Sequence, residues 1–247
     1  MDSTKKRYIF YGVFGVLVIS SVIAIVCLIN NLFQYKRASE EYSTLESQVV
    51  TETSTQPKKT VTMYSGTGTT ENITSINPDA PNINTQSVPE QSIDFAALLK
   101  SNPDCVGWIY VPNTNINYPV VRSSDNIDYV KKTFNGTENI AGCIFSDCRI
   151  DSPFSQKTIL YGHNMKNGTM FHDLFKIEQS PDNYEVWIYL QGGTLFHYYI
   201  DDVKRTTKKD SDVYSISPTY DDTLVLSTCI KDDTRLVVIA KRDWYQF

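Results

Sequence analysis

The chain has 247 residues and a formal net charge of −5, with 23 basic against 28 acidic side chains. This balance argues against a nucleic-acid partner, because proteins of that class present a basic surface. An aromatic content of 12%, with 16 tyrosines, and short β-branched runs favour a sheet-rich fold. About 155 C-terminal residues are core-forming, and one domain of that size buries roughly 68 to 70% of its unfolded surface.

The first predicted element is an apolar segment at residues 8–29, which carries no charge. A helix of this length crosses a bilayer core of about 30 Å. Lys5, Lys6 and Arg7 precede it, which favours a cytoplasmic tail at residues 1–7 and an extracellular location for all that follows. A cleaved signal peptide is the alternative, but the apolar stretch is long and no A-x-A site follows it. We therefore predict a single-pass cell-membrane anchor.

Residues 30–90 are predicted to form an extracellular flexible tether. From residue 38 onward they are rich in Ser, Thr, Asn, Gln and Pro, without apolar periodicity. A coil of this length has a root-mean-square span of about 40 Å. On this interpretation the tether contributes nothing to the core, with a helical continuation over residues 39–50 as a minor variation. The folded domain then occupies residues 91–247.

The folded part is predicted to be mainly β. A short helix from the N-cap Ser92 to Lys100 comes first, and Asn102 and Pro103 end it. Eight apolar or alternating runs then predict strands at 107–111, 116–121, 140–146, 157–163, 185–190, 194–203, 223–229 and 236–242. Two further short helices are predicted at 125–133 and 169–177. Eight short, mostly antiparallel strands with two or three helices are typical of a closed or nearly closed barrel.

Three side chains with catalytic chemistry stand at the ends of predicted strands. Cys229 ends one strand and Arg235 begins the next, so a hairpin would bring the thiol and the guanidinium to the same end of a sheet. His163 ends an earlier strand. Together these groups supply a nucleophile, a base and a cationic partner for an oxyanion. Papain-like hydrolases place the cysteine before the histidine, whereas here the histidine comes first.

Several motifs, in the same order along the chain, resemble the sortase family, and most closely class B. They are Asn102-Pro-Asp-Cys-Val-Gly-Trp-Ile109, Ile116-Asn-Tyr-Pro-Val-Val121, Asp125-Asn126, Phe134-Asn-Gly136, Gly142-Cys-Ile-Phe-Ser-Asp147, His163-Asn-Met, Gly168-Thr-Met-Phe171 and Leu226-Ser-Thr-Cys229 with Arg235. The resemblance covers residues 92–247. It implies an eight-stranded closed β-barrel with its active site at one rim, preceded by the transmembrane helix.

The resemblance also implies an activity, cysteine transpeptidation. Cys229 would attack the threonine carbonyl of a sorting signal, His163 would transfer protons, and Arg235 would stabilise the oxyanion. By the same resemblance Ser227 and Thr228 would line the substrate groove. The expected partners are secreted surface proteins or pilins with a C-terminal sorting motif, and an amine of peptidoglycan precursor or of a pilin subunit as acceptor. No cofactor is expected.

Two other functions remain open at this stage. A membrane-tethered cysteine peptidase would release its product by hydrolysis, and added amine would not enter the product. A non-catalytic surface receptor would carry an unreactive Cys229. The connection at residues 206–222 is short and polar where class B sortases carry a long helix, which predicts a shorter wall for the substrate groove.

The remaining cysteines and histidines are predicted to be structural. Cys105, Cys143 and Cys148 fit neither a disulfide framework nor a zinc site, and we interpret them as small buried apolar residues. His172 and His197 are interpreted as structural or solvent-facing. No metal site is predicted.

Overall fold

The computed structural model describes residues 3–52, 89, 91–216 and 221–243, and it begins with a long helix, α1 (Ser3–Val49). Large apolar side chains between Tyr8 and Phe33 are exposed along its first part. This helix is long and apolar enough to cross a membrane, with a mean hydropathy of 2.8 over its most apolar window. A signal sequence has the same properties, so the membrane anchor stays a prediction.

The last third of α1 packs against the folded domain. Ala38, Tyr42, Leu45 and Val49 recur at helical spacing and are only 2 to 6% exposed, within the main hydrophobic core. Tyr35 and Val50 also pack against this core, so the prediction that residues 30–90 form a tether without core contacts is wrong for residues 35–50. The apolar stripe of α1 buries itself against the domain instead.

The polar segment after α1 joins two paired strands. Strand β1 (Val50–Glu52) is antiparallel to β2 (Gln91–Ile93), so residues 53–90 leave and return at the same small sheet. Most of the predicted tether, residues 53–88 and 90, lies outside the described residues. Because both of its ends are attached to the domain, this segment cannot set the distance between the domain and a membrane.

Helix α2 (Phe95–Ser101) starts later than predicted. Ser92 belongs to β2, where it pairs with Thr51, and the helix is capped instead by Asp94. A carboxylate oxygen of Asp94 accepts a hydrogen bond of 3.0 Å from the backbone N–H of Ala97. The N-cap prediction at Ser92 is therefore wrong, because pairing with β1 extends the backbone there.

The domain itself is a closed barrel of eight strands. They are β3 (Cys105–Tyr110), β4 (Asn117–Val121), β5 (Ile144–Ser146), β6 (Thr158–Tyr161), β7 (Glu185–Tyr189), β8 (Leu195–Thr207), β9 (Thr223–Lys231) and β10 (Thr234–Arg242). Their order around the barrel is β10-β8-β7-β3-β4-β5-β6-β9. The β4–β5 and β6–β9 pairs are parallel and the other neighbours are antiparallel. The predicted fold class is confirmed, and each predicted strand overlaps one strand of the barrel.

The helices between the barrel strands are short. The predicted helix at 125–133 is reduced to one 3₁₀ turn, Asp128–Val130. The predicted helix at 169–177 is a 3₁₀ turn, Phe171–Asp173, followed by α3 (Leu174–Gln179). A single turn, α4 (Ser211–Tyr214), lies between β8 and β9.

Strand β9 has two faces with different surroundings. Leu224 and Leu226 belong to the main core, whereas Val225, between them, belongs to a second hydrophobic cluster. That cluster also contains Val213 of α4 and Val237 of β10. Because side chains alternate along a strand, Ser227 and Cys229 share the outer face with Val225.

Candidate active site

The three predicted catalytic residues lie near the ends of three neighbouring strands, and we call this group the row. Arg235 of β10 is the register partner of Cys229 on β9. On the other side, Tyr161 of β6 is level with Ser227, and His163 follows two residues beyond this last paired position. Cys229 is exposed. The predicted nucleophile is thus open to solvent, with the predicted base and the predicted cationic partner carried by the strands on either side.

Close packing around Gly162 holds the backbone of His163. A Cβ atom on Gly162 would lie 2.5 Å from Cδ1 of Ile144 and 2.7 Å from Cδ2 of Phe171, so no larger residue fits this inward position. The Thr228 hydroxyl donates a hydrogen bond of 2.8 Å to the Gly162 carbonyl. The carbonyl of His163 in turn accepts one of 2.9 Å from the N–H of Phe171.

A backbone carbonyl selects the basic nitrogen of His163. The Nε2 atom lies 2.7 Å from the carbonyl oxygen of Val130, which belongs to the segment at residues 128–143 that we call the bridging segment. A carbonyl oxygen can only accept, so Nε2 carries the hydrogen and Nδ1 is the nitrogen that can take up a proton. Sequence reasoning missed Val130, because any residue type supplies a carbonyl.

Arg235 is held at the turn between β9 and β10. Its Nη1 donates hydrogen bonds to the carbonyl oxygens of Asp232, at 3.0 Å, and Thr234, at 3.1 Å. Asp232 has a φ of 51°, in the left-handed region, which tightens this turn. A guanidinium carries five N–H groups in a rigid fork, so it can bind an oxyanion as well as these carbonyls.

One side of the row is bordered by the connection at residues 208–222, which we call the wall segment; its residues 217–220 lie outside the described residues. Val213 of α4 is buried in the second hydrophobic cluster. The Tyr214 hydroxyl lies 2.8 Å from Oγ of Ser227, and its ring stacks on Tyr161 at 6.3 Å. The described part of the wall segment thus packs on the outer face of the barrel beside Ser227, while Cys229 stays exposed.

Tyr214 is close enough to the row to respond to its charges. Burial is the main cause that raises the pKa of Tyr214, and the charges of Arg235 and Cys229 act on it in opposite directions. The phenol therefore stays protonated at neutral pH and can donate a hydrogen bond. Sequence reasoning identified a polar wall here and missed Tyr214, whose place depends on the burial of Val213.

An ionised carboxylate fastens the wall segment to the barrel. Asp147 accepts hydrogen bonds from the Tyr161 hydroxyl at 2.8 Å and from Nε and Nη2 of Arg149 at 2.9 and 2.8 Å. Nη2 of Arg149 also donates to the carbonyl of Tyr214 at 3.2 Å. Burial alone would raise the pKa of Asp147, but the hydrogen bonds from Arg149 and Tyr161 outweigh it and lower that pKa to about 2.

The two predicted substrate-binding residues have different places. Thr228 is 1% exposed, faces the interior and uses its hydroxyl on Gly162. That it lines the substrate groove stays a prediction. Ser227 lies on the outer face, 2% exposed beneath Tyr214. Its contact with substrate stays a prediction, and such a contact would require Tyr214 to move.

Two of the other cysteines, Cys105 and Cys143, differ from Cys229 in being buried. All five thiols are free, and Cys105 and Cys143 are buried while Cys148 is half-buried. Burial raises the pKa of Cys105 to about 12 and also raises the pKa of Cys143. These two thiols are therefore poor nucleophiles, as the interpretation of small buried residues requires.

Neither remaining histidine belongs to the row. His172 pairs through Nδ1 with Oδ1 of Asn164 at 2.8 Å, and buried His197 pairs through Nε2 with Oε2 of Glu185 at 3.0 Å. Both contacts are structural. Among residues 3–52, 91–216 and 221–243, no group of three or more His, Cys, Asp or Glu residues is placed to hold a metal ion.

Comparison with known proteins identifies the family. The sortase domain model matches residues 109–243. Sortase B of Listeria monocytogenes is 35% identical to this chain, over 53% of this chain and 65% of the length of the Listeria protein. Sortase B of Staphylococcus aureus is 28% identical, over 60% of this chain and 73% of the length of the Staphylococcus protein. The crystal structure of Clostridium perfringens sortase B superposes with a TM-score of 0.53 at 28% identity, over 61% of this chain and all of that one. Because the domain model matches more than half of the chain, the protein belongs to the sortase family, with class B sortases among its relatives.

Proposed function

We propose that this protein is a membrane-anchored cysteine transpeptidase of the class B kind. The observation that carries the proposal is that exposed Cys229 on β9 has Arg235 opposite it on β10 and has β6, the strand that leads into His163, on its other side. Family membership supports the same reaction. We infer that an extended peptide lies over exposed Cys229, between the wall segment and the bridging segment.

In the first half of the reaction the sorting signal is cleaved. The thiolate of Cys229 attacks the threonine carbonyl carbon, and a C–S bond forms. The carbonyl oxygen becomes an oxyanion, which Arg235 stabilises through N–H groups. The C–N bond then breaks as the imidazolium of His163 gives its Nδ1 proton to the departing amine. A thioester between the protein substrate and Cys229 remains.

In the second half an amine takes the place of the thiol. The acceptor amine attacks the thioester carbonyl and forms a new amide bond, while the C–S bond breaks. His163, now neutral, takes the proton that the amine loses. The thiolate and the imidazolium are thereby regenerated, and the reaction needs neither an oxidant nor a cofactor.

The donor substrate we propose is a secreted protein with a C-terminal sorting signal. The acceptor is an amine, either of a cell-wall precursor or of a pilin subunit. The protein's placement follows from the apolar part of α1: residues 8–29 span the membrane, the N-terminus is cytoplasmic and the barrel is extracellular. The cluster of Lys5, Lys6 and Arg7 before the span supports this orientation.

Mass spectrometry of the products tests the function. The full chain in detergent is incubated with a pool of candidate sorting peptides and with glycyl peptides as acceptor amines. Transpeptidation predicts a product that joins the N-terminal fragment of a donor peptide to an acceptor. A cysteine peptidase is the second candidate, because exposed Cys229 leaves its thioester accessible to water; it predicts the free N-terminal fragment at every amine concentration.

A further inference from the structure

The bridging segment lies between the catalytic row and the docked part of α1. On its site side, the Val130 carbonyl oxygen accepts the hydrogen bond from Nε2 of His163. On its other side, four hydrogen bonds join it to α1. They link Asn139 Nδ2 to Gln34 O (3.0 Å), Ile140 N to Gln34 Oε1 (3.0 Å), Asn135 N to Glu41 Oε1 (3.2 Å) and the Tyr42 hydroxyl to Gly142 O (2.5 Å). The segment thus has α1 on one side and the proposed base on the other.

Gly142 contacts both sides of the bridging segment: its carbonyl accepts the hydrogen bond from Tyr42, and its Cα packs against the Val130 carbonyl. It has a φ of 59°, and a Cβ atom there would lie 2.6 Å from the Tyr129 carbonyl oxygen and 2.7 Å from that of Val130. The oxygen that binds His163 is therefore packed directly against Gly142. The N–H of Cys143, the next residue, donates to the Tyr129 carbonyl at 3.0 Å, which holds the same stretch of backbone.

Tyr42 is placed to hold Gly142 firmly. The side chain is 6% exposed, and its ring meets Tyr118 edge to face at 5.3 Å. The ring cannot swing away without opening the core, so the hydroxyl stays on the Gly142 carbonyl. Burial raises the pKa of Tyr42 well above its ordinary value, so that hydroxyl remains a donor.

We propose that Tyr42 is a positioning residue for His163, acting through Gly142 and the Val130 carbonyl. By holding that carbonyl in place, Tyr42 keeps the hydrogen on Nε2 and leaves Nδ1 for proton transfer with Cys229. The inference rests on the proposed function of His163 as acid and base. The docked end of α1 then contributes to the chemistry of a site that it does not touch.

Replacing Tyr42 with Phe removes only the hydroxyl and tests the proposal directly. The full chain in detergent, labelled with ¹⁵N-histidine, has only three imidazoles to resolve. At a pH at which the His163 imidazole is neutral, its nitrogen resonances in Tyr42→Phe should move toward a mixture of tautomers, while those of His172 and His197 stay unchanged. The rate at which iodoacetamide alkylates Cys229 should fall about fivefold, the loss expected from one neutral hydrogen bond.

Glu46→Ala is the matched control on the same helix. Its carboxylate accepts a hydrogen bond of 2.6 Å from Nδ2 of Asn117, so the variant also removes one bond between α1 and the barrel, but away from the bridging segment. Glu46→Ala should leave the His163 resonances and the alkylation rate unchanged. Equal changes in the two variants, or unchanged His163 resonances in Tyr42→Phe, would overturn the proposal.

A glycine pair provides a second test within the bridging segment. Gly136 and Gly142 both have positive φ, 77° and 59°, but a Cβ on Gly136 would meet nothing within 4 Å. Alanine is strained at both positions because of the positive φ. Only the Gly142→Ala side chain would press on the Val130 carbonyl, so we expect only this variant to slow alkylation of Cys229, by tenfold or more. Equal alkylation rates in the two folded glycine variants would contradict the proposal. If Gly142→Ala does not fold, the Tyr42→Phe experiment decides.

Failure of the proposed function and failure of this inference are distinguishable. Full turnover by His163→Ala would refute the proposed function. The His163 nitrogen resonances in Tyr42→Phe test the role of Tyr42 independently of turnover.

Discussion

Two segments border the catalytic row, and they are fastened in different ways. The bridging segment is held by α1 and reaches His163 through a backbone carbonyl. The wall segment is held by side chains, through Asp147 and Arg149, and reaches the row through the Tyr214 hydroxyl. We expect the first to act on the proposed base and thus on rate. We expect the second to border the path of the substrate and thus to act on substrate choice.

The difference predicts opposite sensitivities. A carbonyl is present whatever residue stands at position 130, so the bridging segment should tolerate side-chain changes there but depend on the docking of α1. The wall segment depends on the identities of Asp147, Arg149 and Tyr214, and its described contacts do not include α1. Four predictions test the two segments and the row between them, in order of decreasing expected effect.

The largest effect should come from removing α1. A chain that begins at Pro89 loses the buried side chains of Tyr42, Leu45 and Val49, each of which contributes about 1.5 to 3 kcal/mol. The sum approaches the entire net stability of a typical domain, about 5 to 15 kcal/mol. We expect this chain to unfold at much lower urea concentration than a chain that begins at Gln34. Equal urea midpoints would mean that docking of α1 contributes nothing.

The next effect concerns the row itself, between the two segments. Arg235→Lys retains the charge but loses the planar fork, so the rate of thioester formation should fall by about 10² to 10³ if Arg235 binds the oxyanion. Arg235→Ala should be no better. Single-turnover rates with a sorting peptide measure both variants. Near-complete rescue by lysine would indicate a purely electrostatic role, and wild-type rates in both would remove Arg235 from the site.

A pH-dependent effect should weaken the wall segment. Because the pKa of Asp147 is about 2 in the folded state, below its ordinary value of 3.8, its stabilisation is complete above about pH 4 and is lost as the pH falls toward 2. A shift of nearly two units corresponds to about 2 kcal/mol. The difference in unfolding free energy between wild type and Asp147→Asn should shrink by about 1.5 kcal/mol from pH 6 to pH 2.5, because the folded carboxylate takes up its proton only as the pH falls through 2. A constant difference would contradict ionic fastening by Asp147.

The smallest effect should come from Tyr214→Phe. It removes the contact with Ser227 and costs about 1 kcal/mol of stability. The ranking of sorting peptides should change, while alkylation of Cys229 by iodoacetamide should not. Tyr199→Phe, at an exposed tyrosine of β8, is the control. An unchanged ranking in Tyr214→Phe would place the specificity wall elsewhere.

The same comparison explains what the sequence could predict. The barrel strands are visible as apolar runs, and hairpin reasoning brings Cys229 and Arg235 together. His163 also ends such a run, but its place beside them was implied by the family resemblance. The docked stripe at positions 38, 42, 45 and 49 also has helical spacing. It was not recognised as an apolar stripe because two of its four residues are an alanine and a tyrosine and the residues between them are polar. The position of Ser92 could not be predicted, because its partner Thr51 is far away in the chain.

The contacts made by the two segments have no recognisable pattern in the sequence, unlike the barrel strands. The Val130 carbonyl has no residue-type signature, and the tight approach of Gly142 to it depends on the tertiary fold. The place of Tyr214 depends on Val213 reaching a cluster built from three strands. Closure of the barrel was implied by the family resemblance rather than by composition, and its two parallel pairs were not predicted.

Intact-mass measurement of the acyl-enzyme tests the central claim most directly, namely that Cys229 in its row is the nucleophile. The full chain in detergent is mixed with sorting peptides, quenched in acid and digested to locate any adduct. We predict the mass of the N-terminal peptide fragment on Cys229, unchanged in Cys143→Ala, absent in Cys229→Ala and strongly reduced in His163→Ala. An adduct that persists in Cys229→Ala, or cleavage of the peptides by that variant, would contradict the account.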